Sequence, residues 1–247
     1  MRWAIPLLSL VFLGCAKKEV KPLHTEPWLA HPPASAAADA APGALSAHYV
    51  LTSDSRVRFE LSGKGSAIHG TFQHVSGELT IDLAALDRSH GHVEVALDSL
   101  DLDGEDAGIG MRAAALTALG ASDAGAATPS ASFELSSLED TSPSSLDAPE
   151  NGKGTKKARA VAVGNLLLHG FRVQRRAPLE AEFGFDTDPQ HPTTVLIRSR
   201  APFVISLETH DIHVSEREPA EHAGHRKRPP TSRDARVSIE LHAQKTD

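Results

Sequence analysis

From Ala47 onward the chain alternates apolar and polar residues with a period of two. Val57, Phe59 and Leu61 alternate with Arg58, Glu60 and Ser62. Ile68 and Phe72 flank Gly70. Leu79, Ile81 and Leu83 alternate with Thr80 and Asp82, and Val93, Val95 and Leu97 with Glu94 and Asp98. The same beat returns at Val161 and Val163, then Leu166 and Leu168. It continues at Leu179, Ala181, Phe183 and Phe185, at Val195 and Ile197, at Phe203 and Ile205, and at Val237, Ile239 and Leu241. Successive side chains of a strand point to opposite faces, so this pattern predicts half-buried antiparallel strands. Many such strands, joined by Gly, Asp and Ser turns, predict a sandwich or a closed barrel.

One stretch breaks the period. Residues 104–120, GEDAGIGMRAAALTALG, predict a helix with Ile109, Met111, Leu116 and Leu119 available for packing; Gly104, Gly108 and Gly110 weaken its start. Two polar segments, 139–157 and 215–236, contain Pro and Gly and carry no apolar period, which predicts exposed loops. Loop closure costs only about 0.6 kcal/mol per doubling of length, so shortening 141–156 to a four-residue turn is expected to leave stability nearly unchanged.

The first 14 residues follow a different logic. Arg2 precedes an apolar run from Trp3 to Leu13, too short to span a bilayer but shaped like a secretory signal. Gly14 and Cys15 follow, and Cys15 is the only cysteine of the chain. Phe12-Leu13-Gly14-Cys15 resembles the lipobox of bacterial lipoproteins, with Phe12 where Leu is usual. That resemblance implies cleavage before Cys15 and attachment of diacylglycerol to its thiol. Residues 15–46 are rich in Ala and Pro and cannot bury enough surface to offset ordering entropy. They read as a tether with a reach of roughly 30 Å. The expected organisation is therefore a signal peptide over 1–14, a lipidated tether over 15–46 and a strand-rich domain over 47–245. Ala16, a residue other than Asp after the cysteine, leans by the same resemblance toward the outer membrane, facing the periplasm.

Composition narrows the chemistry. Aromatic residues make up 4% of the 247 residues, too few for a nucleic-acid platform of stacked rings. The net charge of −7 lacks the basic field that nucleic-acid binding needs. A single cysteine allows no intramolecular disulfide and no cysteine zinc cage. No G-x-S-x-G elbow occurs, and GKGTKK (152–157) lacks phosphate-loop spacing. No acidic pair is set out in sequence for acid–base work, and no enzyme activity or cofactor is expected.

The order of several segments resembles the YceI-like family of bacterial periplasmic lipid-binding proteins. HYVLTSDSRVRFEL (48–61) is similar to its opening strand pair. IHGTFQHVSGELTID (68–82) matches its G-x-F-x-x-x-x-G-x-[IL]-x-[FI]-[DE] segment through Gly70, Phe72, Gly77, Leu79, Ile81 and Asp82. VEVALDSLDLD (93–103) resembles its third long strand. TPSASFELSSLE (128–139) matches Tyr-Pro-x-Ala-x-Phe through Pro129, Ala131 and Phe133. VGNLLLHGFRVQRRAPLEAEF (163–183) matches a further stretch through Gly164, Asn165, Leu166, Leu168, His169 and Gly170. The chain departs from the family at LTALGASDAG (116–125) and at SLETHDIH (206–213), both where the family shapes its cavity or rim.

The resemblance implies an all-β fold: an extended, eight-stranded antiparallel, lipocalin-like barrel with one short helical segment. It implies a long isoprenoid-like or other amphipathic lipid held in the lumen, without catalysis, in the bacterial cell envelope. Barrels of about eight strands leave just enough room for side chains or one slender ligand. The inward candidates look aliphatic and small, with no bulky aromatic set to fill a lumen. Val57, Phe59, Ile68, Phe72, Leu79, Ile81, Val93, Val95, Leu97, Met111, Phe133, Leu166 and Leu168 are the candidate ligand contacts, and Cys15 the lipid attachment site. The same apolar residues would serve a lumen filled by its own side chains, which makes a structural or interaction module the alternative. A histidine-based metal-binding envelope protein is another, since the chain holds 14 histidines. His90 and His92 share a strand face, and His210 and His213, like His222 and His225, stand three apart. Solvated surface histidines account for these spacings, and no metal site is expected. His169, in Leu-His-Gly, is read as a turn residue.

Overall fold

A computed structural model describes residues 45–63, 66–104, 109–119, 129–147, 149, 153–186, 190–212 and 233–246. Among these residues twelve strands join in one antiparallel sheet. They are β1 (Ser46–Leu51), β2 (Arg56–Gly63), β3 (Ser66–Phe72), β4 (Val75–Asp82), β5 (His90–Ala96) and β6 (Leu100–Leu102), then β7 (Ser130–Ser142), β8 (Gly154–Leu168), β9 (Phe171–Phe185), β10 (Thr194–Ser199), β11 (Phe203–Ser206) and β12 (Asp234–Lys245). Among the described residues one α-helix, α1 (Ile109–Ala118), stands between β6 and β7.

Hydrogen bonding runs β1-β4-β5-β7-β8-β9-β10-β12, and β12 pairs back onto β1 through Tyr49 opposite Lys245 and Leu51 opposite Ala243. Eight strands thus close into a ring, which is the lipocalin-like barrel. The remaining strands extend the same walls. β12 pairs along one edge with β1 and then β2, and along the other with β10 and then β11. β3 continues β4 and pairs β2 and β6. Closure leaves few free edges for pairing with another chain.

Local chemistry explains the turns and joints. β8 and β9 meet in a two-residue turn in which His169 (φ 53°) and Gly170 (φ 80°) both take left-handed backbone. That is the hairpin geometry whose twist matches the flanking strands, and glycine adopts it without a Cβ penalty. The Tyr49 hydroxyl, wholly buried, donates to the Pro192 carbonyl at 3.0 Å and ties β1 to the approach of β10. Ala115 and Leu119 bury the inner side of the helical segment. Arg112 Nε donates to the Leu100 carbonyl at 3.0 Å, and its Nη2 donates to the Asp98 carbonyl, fastening the helix to the β5–β6 junction.

Several boundaries differ from those expected. The helix is shorter than 104–120, running from Ile109 to Ala118. Residues 93–103 are not one strand: a 3-10 turn over Leu97–Ser99 separates β5 from β6, so Leu97 is a turn residue, although buried. Segment 139–157 is partly strand, since β7 runs on to Ser142 and β8 begins at Gly154. Of the described residues between them, Pro143, Ser144 and Asp147 are exposed, but one is packed. Leu146 is buried in the core, its N–H donates to the Leu83 carbonyl at 2.8 Å, and the Leu86 N–H donates to the Ser144 carbonyl at 3.0 Å. Polar composition hid one apolar anchor. Most of 215–236 lies outside the described residues; β12 begins within it at Asp234.

The face of β8 also differs. Val161 and Val163 share the face of the exposed Lys157 and Arg159, while Ala162, Leu166 and Leu168 face inward. Val163 is nonetheless buried, so the apolar period at Val161 and Val163 marks positions on the face opposite the cavity.

Candidate functional site

The interior of the ring holds a cavity of about 170 Å³. Inward positions from nearly every wall line it: Val57 and Phe59 of β2, Phe72 of β3, Leu79 of β4, Val93 and Val95 of β5, Ala131, Phe133 and Leu135 of β7, and Ala162, Leu166 and Leu168 of β8. Ala177 and Leu179 of β9, Ile197 of β10, Phe203 and Ile205 of β11, and Ala235, Val237, Ile239 and Leu241 of β12 complete the wall. Leu97, Leu119 and Leu207 close in from connecting segments, and Ser132 and Arg175 are the polar members. A cavity of this size and lining is one that stays dry and takes a small apolar molecule. It lies below the roughly 300 Å³ at which pockets for drug-sized ligands begin.

The candidates fall into three groups. Val57, Phe59, Phe72, Leu79, Val93, Val95, Leu97, Phe133, Leu166 and Leu168 line the cavity. Ile68 and Ile81 are buried in the surrounding core and are not brought to the cavity. Met111 lies on α1, but its side chain is outside the described residues, as are Cys15, the 1–14 segment and the 15–46 tether.

The lining is more aromatic than expected, because Phe59, Phe72, Phe133 and Phe203 all reach it. The Phe59 and Phe72 rings stand 5.3 Å apart at 30°. Phe133 occupies room that a neighbour gives up: a Cβ on Gly164 would stand 2.5 Å from the Phe133 ring and 2.3 Å from the Glu134 carbonyl. Several inward residues, Val93, Val95, Phe133 and Leu166 among them, are only partly buried because the space they face is a cavity.

A polar cluster gathers around Arg175, beside the lumen. His210 lies in a 3-10 turn, Glu208–His210, that follows β11, and it is wholly buried. Its Nδ1–H donates to the carbonyls of Leu168 (3.3 Å) and Phe171 (3.2 Å). Nε2 is left as the acceptor and takes a hydrogen from Arg175 Nη2 at 3.4 Å. Burial above all, and then the Arg175 charge, hold the His210 imidazole below its ordinary pKa, so it stays neutral. Arg175 Nη2 also donates to Thr209 Oγ1 at 2.7 Å, and Thr209 donates in turn to the Ser206 carbonyl at 2.7 Å. His169 sits in the hairpin turn with Nδ1 3.2 Å from the His210 carbonyl.

Neither Arg175 nor Leu207 was among the sequence candidates, and the inward residues of β9 to β12 were recognised only as strand. A charged residue in an apolar alternation reads as an outward position, so Arg175 carried no signal. His90 and His92 share an exposed face of β5. Among the described residues no three His, Cys, Asp or Glu side chains group to hold a metal ion; His213, His222 and His225 lie outside them.

No curated protein matches the chain. Among solved structures, a polyisoprenoid-binding domain from Saccharophagus degradans, implicated in plant cell wall breakdown, is similar at 14% identity with a TM-score of 0.49, covering 81% of this chain and 99% of its own. BcnA from Burkholderia cenocepacia is similar in fold at 15% identity with a TM-score of 0.51, covering 77% of this chain and 97% of its own. The YceI-like domain model matches residues 49–243, from within β1 to within β12, and the chain belongs to the YceI-like family.

Proposed function

We propose that this protein is a non-enzymatic container for one slender apolar chain, an isoprenoid-like or other amphipathic lipid, which it holds or carries in the bacterial cell envelope. The observation that carries the reading is the cavity of about 170 Å³ inside a closed ring, walled almost wholly by apolar side chains. Such a wall offers contact area and exclusion of water to a chain of methylene or isoprene units. YceI-like proteins are generally periplasmic, in keeping with an envelope role. The lipobox-like Phe12-Leu13-Gly14-Cys15 supports a lipid anchor at Cys15. With the tether over 15–46, the barrel domain over 47–245 would stand off the inner face of the outer membrane.

Val95 tests the lumen. It lies on β5 between Val75 of β4 and Ala131 of β7 and faces the cavity. In a container, Val95→Phe fills space that the ligand uses. In a lumen packed solid by its own side chains, the same change overpacks the core and costs about 1–3 kcal/mol. Purified wild type and variant are extracted with organic solvent, the extracts are weighed by mass spectrometry, and the melting temperatures are compared. The container reading requires lipid in wild type, less in the variant, and similar lipid-free stability. No lipid in wild type together with a destabilised variant would establish the filled module instead.

A further inference from the structure

One cation, Arg175, borders the lumen without a counter-charge among the described residues. β9 presents alternate residues inward, and Arg175 takes the same parity as Ala177 and Leu179 and lines the cavity with them. Its neighbours of opposite parity, Arg172 and Arg176, are exposed and each meets a carboxylate: Arg172 Nη1 to Glu134 Oε2 at 3.5 Å, Arg176 Nη1 to Glu139 Oε2 at 2.6 Å. Arg175 has no such partner among the described residues, and no Asp or Glu lines the cavity. Its Nη2 is spent on two neutral groups, Thr209 Oγ1 and His210 Nε2. Its Nε–H is buried with no hydrogen-bond partner.

Charged groups withdrawn from water are normally paired, and a buried N–H without an acceptor is rare in a folded protein. His210 cannot compensate, because its Nδ1–H is committed to the Leu168 and Phe171 carbonyls and the ring is neutral. Thr209 fixes the guanidinium rather than discharging it. The fold therefore holds a positive charge beside the apolar lumen, with no carboxylate partner among the described residues and a buried Nε–H left unpaired. Arg175 is partly buried and Thr209 exposed.

We propose that the occupant of the lumen is an anionic amphiphile, whose carboxylate or phosphate head pairs with the Arg175 guanidinium while its single apolar tail runs along β9 past Ala177 and Leu179. This rests on the lumen being a ligand site and adds the class of head group. A guanidinium matches both oxyanions through directed, charge-assisted hydrogen bonds, which a neutral alcohol head cannot supply.

The test uses the full-length chain stripped of lipid and a neutral fluorescent reporter, phenylnaphthylamine, in the lumen. Tetradecanoate, tetradecyl phosphate and tetradecanol compete for it, with acetate and inorganic phosphate as heads without tails. The two anionic chains should displace the reporter at about tenfold lower concentration than the alcohol, the margin expected of one charge-assisted hydrogen bond. Arg175→Met should erase that margin while leaving the alcohol unchanged, and Arg175→Lys should keep part of it. Acetate and phosphate should displace nothing. Equal affinity of acid and alcohol for wild type overturns this inference and leaves the lumen reading standing. So does a Met variant that weakens acid and alcohol alike. If acetate or phosphate competes as well as the tailed anions, the site is one for free anions and the amphiphile is overturned. If no tailed probe enters wild type, the lumen reading and this inference fall together. Should the Met variant fold poorly by its melting curve, the wild-type comparison of acid with alcohol and the Lys variant decide.

Discussion

His210 shows how one buried side chain couples stability to pH. Its imidazole is wholly buried, its Nδ1–H is spent on two carbonyls, and its Nε2 receives Arg175. Burial, Arg175 and the nearby His169 all lower its pKa in the fold, against the two backbone hydrogen bonds that raise it. In the unfolded chain it titrates near the ordinary value of about 6.5. Below that pH the unfolded chain binds the proton and the fold resists it, so stability falls as pH drops through 6.5 and below. Above it the contribution is complete. The melting temperature of wild type should therefore fall more between pH 7 and pH 5 than that of His210→Gln, even though the variant starts lower. Parallel pH profiles for the two proteins would show that His210 is not the group responsible. A histidine of this kind is legible in sequence only as a count, because its environment comes from β8, β9 and the turn after β11 together.

At the scale of elements, the connection between β7 and β8 carries the sharpest revision. Ser, Pro, Asp and Gly dominate it, and composition alone predicted a removable loop. Leu146 reverses that expectation, since it is buried against the core beside Leu83 and Leu86 and its backbone bonds to Leu83. Leu146→Ala should cost about 2–5 kcal/mol, the range for emptying a buried leucine site. Shortening 141–156 to a tight turn should cost at least as much, because it also removes ladder pairs such as Ser142 opposite Arg159. Urea unfolding of both variants measures this, and midpoints equal to wild type would restore the free-loop reading. By contrast, the β8–β9 hairpin was legible from Leu-His-Gly, because a two-residue turn with left-handed backbone needs a residue such as glycine and the strands on either side alternate.

At the scale of the whole molecule, the ring closes through β12, whose 12 residues pair with four other strands. That closure creates an inside, and an inside with apolar walls is what a lipid container needs. The proposed attachment to a membrane is a separate matter and would rest on Cys15. Several acyl chains on one cysteine would anchor stably, since each buried CH₂ contributes about 0.8 kcal/mol. Replacing Cys15 by Ser should abolish palmitate incorporation and move the protein from the membrane fraction to the soluble one. If the variant sediments with membranes as wild type does, or wild type incorporates no label, the anchor is not at Cys15.

Alternation by itself determined that this is an all-β chain with apolar faces, because the period of two is a local property of extended backbone. Ordered motifs such as Gly70-Thr71-Phe72 and Leu168-His169-Gly170 extended that to the family and its barrel. Only the tertiary structure decided which apolar residues face a cavity and which merely pack. Ile68 and Leu79 look alike in sequence, yet only Leu79 reaches the lumen. The pairing of β8 brings Ala162 to the cavity and leaves Val163 buried on the opposite face. Arg175 is the extreme case. Its meaning depends on which neighbours lack a carboxylate, and that is a property of three dimensions, since residues 168, 175 and 210 meet only when the ring has closed.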